Sequence, residues 1–400
     1  MKGLNPMFFK RKLGLRICLL LLGLALGGSA CRSTRSSELL ESEADIAYKA
    51  GNIVRITPAR NQGAIGFCWS YGMMGMIESL QLKRKGESVT LSPEAFGFYH
   101  YVSLLKAFFA DEDGLDKFRN LDVDGGGLDG NSMVDSAEYS SAPVLLKAYG
   151  VIPEEVYRKK FPSTVQSIDD AMKFHMGIQD RINALVAKKG KAYLHTMSEA
   201  DIINEIMIST DPAGYTSAPP QSFTFRGKIY TPQSFLKDFL KIDPTALTVK
   251  AVYSERQQAR PSNVEQVTLE QFIKDADENL KAGIPLPFRV DIDNTRLILG
   301  TFSKNGAQPA AKGKRPAPFS SSGGHVMVFV GPTKNMLSES KDEDRFIIKN
   351  SWGAGFDPTS PTPSDGLYLM EIGYLKAMLE SGYYLAALMP KQAGKAPFLP

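Results

Sequence analysis

Three residues that could share a single proton stand where regular structure would hold them in this 400-residue chain: Cys68, His325 and Asn350. Cys68 lies in NQGAIGFCWSYGMMGMIE, residues 61–78, six residues after Gln62 and just before Trp69, which heads an apolar run that reads as a buried helix. A thiol at a helix start faces backbone N–H groups with no intrahelical acceptor and the positive end of the helix dipole. Both favour the thiolate, the nucleophilic form. Cysteine is also among the most buried residue types, so this segment alone is equally compatible with a core side chain. The remaining motifs decide. GGHVMVFVG places His325 at the start of an apolar strand, and RFIIKNSWG places Asn350 at the end of another. A histidine at a strand start is more often structural. A Cys, a His and an Asn each held on regular structure shift that balance toward nucleophilic catalysis.

Around Cys68 the pattern predicts a short strand from residue 53, the Cys68 helix to Lys85, and a second helix opened by Ser92-Pro93-Glu94, a sound N-terminal signal. An acidic stretch follows and ends in DVDGGGLDG. Asp122, Asp124 and Asp129 invite a calcium reading, but the loop lacks the spacing and terminal glutamate of an EF-hand. No metal is expected there, and no cofactor elsewhere; the glycines suit close approach of a backbone to a ligand. Residues 132–150 predict an amphipathic helix ending at Gly150, residues 165–210 further helix, and Thr231-Pro232 the start of another through Leu240. His175 and His195 in this region have no metal-ligand spacing and read as surface or packing residues. Beyond Leu247 come two strands, TVKAVY and PLPFRVDI, separated by a helix from Leu269 to Lys281. A polar loop over residues 303–322 then leads to His325.

Composition is ordinary for a globular chain, at 43% hydrophobic and 22% charged. The net charge of +4 is set by the N-terminus: Lys2, Lys10, Arg11, Lys12 and Arg16 are unopposed in residues 1–30, and without these five the balance is −1. A near-neutral remainder gives no electrostatic footprint for nucleic acid. Residues 1–30 have the basic start, short apolar run and small-residue end of an export signal. The end, Gly28-Ser29-Ala30-Cys31, resembles the lipobox of bacterial lipoproteins, although Gly28 replaces the usual Leu. That resemblance implies lipidation of Cys31, anchoring to a membrane of the cell envelope, and a tether over residues 31–52. Arg32, where an Asp would resemble a retention signal, favours the outer membrane in a cell that has one. Cysteines occur only at positions 18, 31 and 68, so Cys68 would be the one thiol of the mature chain not consumed by lipidation. An exported protein that keeps an oxidisable thiol has a use for it.

The motifs are similar to those of the papain superfamily of cysteine peptidases, whose nucleophile segment looks like NQGxxGxCW and whose last catalytic segment looks like KNSWG; here they span residues 61–69 and 349–353. His325 and Asn350 follow Cys68 by 257 and 282 residues, far more than in papain itself. This excess, with LSPEAFGFYHY, the glycine turn, PVLLKAYGVIPEEVY, YTPQSFLKDF and GLYLMEIGYLKAML, resembles the bleomycin hydrolase and aminopeptidase C branch over roughly residues 53–390. The resemblance implies that Cys68 forms an acyl-enzyme, His325 moves the proton, Asn350 orients His325, and Trp352 covers that hydrogen bond. Gln62 and the Cys68 N–H would face the oxyanion. Gly125, Gly126, Trp69 and Trp352 would border the substrate. In that branch a C-terminal arm in the cleft gives aminopeptidase behaviour; here only KQAGKAPFLP follows Pro390.

The expected fold is therefore an α+β, two-lobed papain-like domain over residues 53–390. It comprises a helical lobe to 162 carrying Cys68, a helical insertion over 163–245, and an antiparallel, barrel-like β lobe over 246–390 carrying His325 and Asn350, followed by a tail over 391–400. The expected activity is hydrolysis of peptide bonds in peptide or protein substrates, as an aminopeptidase or an endopeptidase. Acyl transfer through the same site is one alternative, and a non-catalytic surface binding protein on the same fold is another. The sequence leaves the oligomeric state open.

Overall fold

The computed structural model describes residues 53–62, 66–111, 142–157, 168–208, 218–256, 264–298, 300–304, 318–333, 344–353 and 366–399, with side chains of 168–175 excepted. The expected signal, Cys31, the glycine pair Gly125 and Gly126, and the aspartates of the glycine turn lie outside these residues. The α-helices longer than one turn are α1 (Cys68–Lys85), α2 (Pro93–Ala110), α3 (Ala142–Tyr149), α4 (Ile168–Lys189), α5 (Lys191–Thr196), α6 (Leu269–Lys281) and α7 (Ile372–Glu380). The strands are β1 (Phe223–Phe225), β2 (Lys228–Tyr230), β3 (Leu247–Tyr253), β4 (Glu265–Gln266), β5 (Leu286–Ile292), β6 (Leu297–Ile298), β7 (Thr301–Phe302), β8 (Gly323–Thr333), β9 (Arg345–Lys349), β10 (Leu367–Glu371) and β11 (Tyr384–Pro390). Among the described residues no helix is long and apolar enough to cross a membrane.

Strands β3 to β11 form one nine-stranded sheet in the order β4-β3-β11-β5-β8-β9-β10-β7-β6. The pairs β5–β8, β8–β9 and β9–β10 are antiparallel, while β3–β4 and β7–β10 are parallel. The sheet is not the barrel-like closure the sequence suggested. Its edges, β4 and β6, are two residues each, and such short ends offer too few ladder groups to close on each other. The middle strands β5, β10 and β11 are buried along their whole length, because helices cover the sheet rather than water.

Three expected helix starts form among the described residues, whereas those expected at residues 132 and 165 lie outside them. Ser92 caps α2 by accepting the Ala95 N–H at 3.1 Å, with Pro93 in the first turn. Thr268 caps α6 through the Gln271 N–H, and α6 buries Phe272, Ala276 and Leu280 at helical spacing. Thr231 and Ser234 form a reciprocal capping box, followed by a π-helical turn, Phe235–Phe239. One expected element differs: residues 54–60 run extended without joining a ladder, held instead by a Val54 N–H to Val330 C=O bond of 2.8 Å and by side-chain bonds of Thr57 and Arg60.

The apolar core has two main parts. The larger runs from α1 and the first turn of α2 across the sheet to α6 and α7. The second lies between the rest of α2 and the following helices, joining Phe98, Val102 and Leu105 to Ile178, Ile182, Ile202 and Ile206. Helix α2 is therefore apolar on two faces, which is how the helical insertion attaches. Gly150 fixes the other attachment point. Its φ is +65°, and a Cβ there would sit 2.2 Å from the Pro232 backbone, so only glycine allows the chain leaving α3 to dock on the Thr231–Pro232 turn.

The chain beyond β11 folds back on this insertion. The Asp243 N–H bonds Pro397 C=O at 2.9 Å, the Leu399 N–H bonds Lys241 C=O at 2.7 Å, and the Phe398 ring lies beneath the Arg84 guanidinium at 5.7 Å. Arg84 is in the last turn of α1, about 24 Å along the helix from Cys68 at 1.5 Å per residue.

Candidate active site

Helix α1 begins at Cys68 itself. Phe67 precedes it with no side-chain cap, the first turn contains no acidic residue, and the last turn is basic, with Lys83, Arg84 and Lys85. The positive end of the helix is thus left to whatever stands at its start, and the residue there is a thiol, 2% exposed. Its position is set by Phe67, whose ring packs at 6.0 Å from Tyr101 and against Gly97 of α2. A Cβ at Gly97 would lie 2.5 Å from that ring. Gly97→Ala is therefore expected to cost about 1–3 kcal/mol, as overpacking does, and to shift the residue beside Cys68. Urea denaturation measured together with thiol alkylation rate checks both consequences.

The sheet meets α1 one turn further on. A Cβ at Gly72 would lie 3.1 Å from Val326 Cγ1 and 3.4 Å from Pro287 Cβ, so the helix backbone rests directly on β8 and β5. Gly72 is one helical turn from Cys68, and Val326 is the residue after His325. This contact brings two segments more than 250 residues apart to the same place.

His325 and Asn350 are paired across strands β8 and β9, with His325 Nε2 and Asn350 Oδ1 2.7 Å apart. The neighbouring Ser351 N–H also donates to Asn350 Oδ1, at 2.7 Å. A backbone N–H can only donate, so it fixes which end of the amide faces it. The histidine nitrogen facing that same oxygen must then carry the proton. His325 is thereby held as the Nε2–H tautomer, and Nδ1 is the lone-pair nitrogen that can take a proton from a thiol. Asn350 Nδ2 has no hydrogen-bond partner among the described residues, a cost that accompanies this orientation. Trp352 stacks over the imidazole, with ring centres 4.9 Å apart and planes inclined by 24°, and Tyr368 meets Trp352 edge-on.

Burial of His325 disfavours the imidazolium and lowers its pKa from 6.5 to about 4, with the Asn350 hydrogen bond opposing the shift. At pH 7 the ring is therefore a neutral base. Stability follows the same shift. Between pH 6.5 and about 4 the unfolded chain binds a proton that the folded chain refuses, so stability is lost as pH falls through that window, by about 3 kcal/mol at its acid end. His325→Gln is expected to flatten this part of the stability profile, read as urea midpoints at pH 7 and pH 4.5.

Gln62 reaches the same place from the other side. Its N–H donates to Ser351 C=O at 2.8 Å, Asn61 forms a bridge with Trp352, and the Ser351 hydroxyl donates to Gln62 Oε1. Trp69, implied by the resemblance to border the substrate, directly follows Cys68. It is 2% exposed, packed 5.4 Å from Phe96 and 4.9 Å from His100, because its place in the first turn of α1 points it into the core beneath α2. His195 bonds the Phe109 carbonyl at the end of α2, a packing role. The side chain of His175 lies outside the described residues. No group of residues suited to a metal ion occurs among the described residues.

A buried charge network lies behind the site. Glu78, fully covered in α1, accepts from the Thr57 hydroxyl at 2.6 Å, from Arg60 Nη2 at 2.8 Å and from the Leu91 N–H at 2.8 Å. Lys349 Nζ donates to Thr57 Oγ1 at 3.1 Å, and burial lowers its pKa to about 8 against the attraction of Glu78. The sequence held one signal for it: Glu78 is the single charged residue in the apolar stretch over residues 68–81.

No family model matches the chain, and no curated protein matches it. Solved structures do. PepW from Lactobacillus rhamnosis HN001 superposes with a TM-score of 0.55 at 17% identity, covering 87% of this chain and 82% of that one. Digestive procathepsin L 3 of Tenebrio molitor larval midgut is also similar, at 16% identity over 86% of this chain and 68% of that one, with a TM-score of 0.33. A structure bearing on the mite allergens Blo t 1 and Der p 1 gives 14%, 84%, 68% and 0.36 in the same order. The PepW superposition shows that this chain shares that protein's fold, the arrangement of helices about the sheet.

Proposed function

We propose that the protein is a thiol-dependent peptide hydrolase that cuts internal bonds of peptide or protein substrates. The observation that carries the reading is the His325 tautomer: Asn350, itself oriented by the Ser351 N–H, leaves Nδ1 as the proton acceptor in the region where α1 begins at Cys68. In this reading Cys68 transfers its proton to His325 and attacks the substrate carbonyl. The Gln62 amide and the Cys68 N–H receive the oxyanion, His325 returns the proton to the leaving amine, and water then releases the acyl group. Trp352 keeps water from the His325–Asn350 bond. Gly125 and Gly126 would pair with the substrate backbone, and Cys31 would carry the lipid that holds the enzyme to an envelope membrane.

The placement of residues 391–399 supports the endopeptidase form. They are fastened to residues 241–243 and to Arg84 at the far end of α1 from Cys68, which favours a cleft open to internal bonds. A mixed peptide library with free and acetylated N-termini tests this. Cleavage within acetylated peptides, abolished by an epoxide inhibitor that labels Cys68, is the expected result; release of residues from free N-termini alone would overturn it.

A further inference from the structure

Gln62 is carried by residues 59–62, which join no ladder beyond the Asn61–Trp352 bridge, so their place depends on what packs against them. Side chains alternate along an extended backbone, and here the two faces meet different partners. Arg60 reaches the helices, donating to Glu78 at 2.8 Å and to the Leu91 C=O at 2.8 Å. Ala59 and Asn61 lie instead against two glycines at the end of the sheet. A Cβ on Gly353 would be 3.2 Å from Asn61 Cβ, and one on Gly366 would be only 2.5 Å from Ala59 Cβ. The glycine side is the stiffer of the two. Gly366 C=O accepts the Asn350 N–H at 3.1 Å, and the residues that follow it, Leu367–Glu371, pair in register with Arg345–Lys349. Ala59 Cβ is fixed to its backbone and cannot swing aside. A side chain at position 366 would therefore push on residues 59–62, which lie outside the ladder and yield first.

We infer that Gly366 is a positioning residue: by having no side chain it lets residues 59–62 settle against the end of the sheet, and so places Gln62 for the oxyanion. The inference rests on the peptidase reading above. Misplacing a catalytic group by about 1 Å can cost about 10²-fold, so crowding this contact is expected to lower kcat by roughly 10- to 100-fold. KM should be nearly unchanged, because Gln62 acts only as the oxyanion forms. The His325–Asn350 pair belongs to the ladder side and should be undisturbed.

The test uses the full chain. Gly366→Ala should lose roughly 10- to 100-fold in kcat on a cleaved peptide. Alkylation by iodoacetamide, followed on the peptide that contains Cys68, should proceed at the parent rate, since displacement at a saturated carbon generates no oxyanion. Alanine at a φ of +74° is strained in any surroundings, and that cost is the same in Gly366→Ala and in the double variant Gly366→Ala/Ala59→Gly. The second substitution removes only the clash, so the double variant should recover kcat to within about threefold of the parent. Ala59→Val crowds the same contact from a residue without positive φ, should show the same loss at the parent alkylation rate, and decides alone if Gly366→Ala does not fold. Parent kcat in Ala59→Val or in a folded Gly366→Ala, alkylation falling in parallel with hydrolysis, or no recovery in the double variant would each overturn the inference while leaving the peptidase reading intact. Absence of Cys68-dependent hydrolysis in the parent protein would overturn both.

Discussion

Cys68→Ser is expected to lower peptide hydrolysis by at least about 10⁴-fold, the scale of loss when a covalent nucleophile is removed, and to abolish labelling by an epoxide inhibitor while the far-ultraviolet circular dichroism is unchanged. The expectation is strong because the replacement is nearly the same shape but has the wrong acidity. His325 is buried and its pKa is held down to about 4, so it is a weak base that cannot draw a proton from an alcohol. A thiol is acidic by comparison, near pKa 8.5 before its surroundings act on it. The start of α1, with no capping side chain and no acid in its first turn, further favours the anion. In the proposed mechanism the thiolate formed on proton transfer is what sustains the imidazolium. Serine has no access to that ion pair, so activity retained in Cys68→Ser would sink the mechanism.

Glu78→Ala is expected to destabilise the fold by about 3–5 kcal/mol, the range for breaking one side of a buried charge network. Three donors lose their acceptor at once: the Thr57 hydroxyl, Arg60 Nη2 and the Leu91 N–H. Arg60 retains Glu154 at 3.2 Å, a half-exposed partner that compensates little. Lys349 loses the attraction that opposes its desolvation, which drives its pKa below about 8 and toward the neutral form at pH 7. Because Lys349 directly precedes Asn350, the strand end that orients His325 loses its tie to α1. Turnover is expected to fall with stability, and a chemical-denaturation curve beside kcat on the same samples checks the pair. A midpoint equal to that of the parent protein would show that the network is not holding the sheet to the helix.

Much of this was legible in local sequence because local physics decides it. Ser92-Pro93-Glu94, Thr231-Pro232 and Thr268 start helices through bonds to residues two or three positions away, and α6 spans Leu269–Lys281 as its apolar spacing required. The segments holding Cys68, His325 and Asn350 were legible as a helix start, a strand start and a strand end, and they are these elements. The open sheet was not legible, since closure depends on how many residues the edges can pair, and β4 and β6 are too short to announce themselves. The partners of Trp69 were not legible either, because Phe96 and His100 belong to another helix.

The amino-acid sequence by itself determined the chemistry on offer: one thiol at a helix start, one imidazole, one amide to orient it, and Gln62 just ahead of the thiol. Tertiary structure alone decided which atoms face one another. The approach of α1 to Val326 through Gly72, the Ser351 N–H that fixes the Asn350 amide and so the His325 tautomer, the Glu78–Lys349 network and the docking of residues 391–399 at the far end of α1 all join segments distant in the chain. Hydrogen-bond direction and close packing are properties of such pairs, and no single segment carries them.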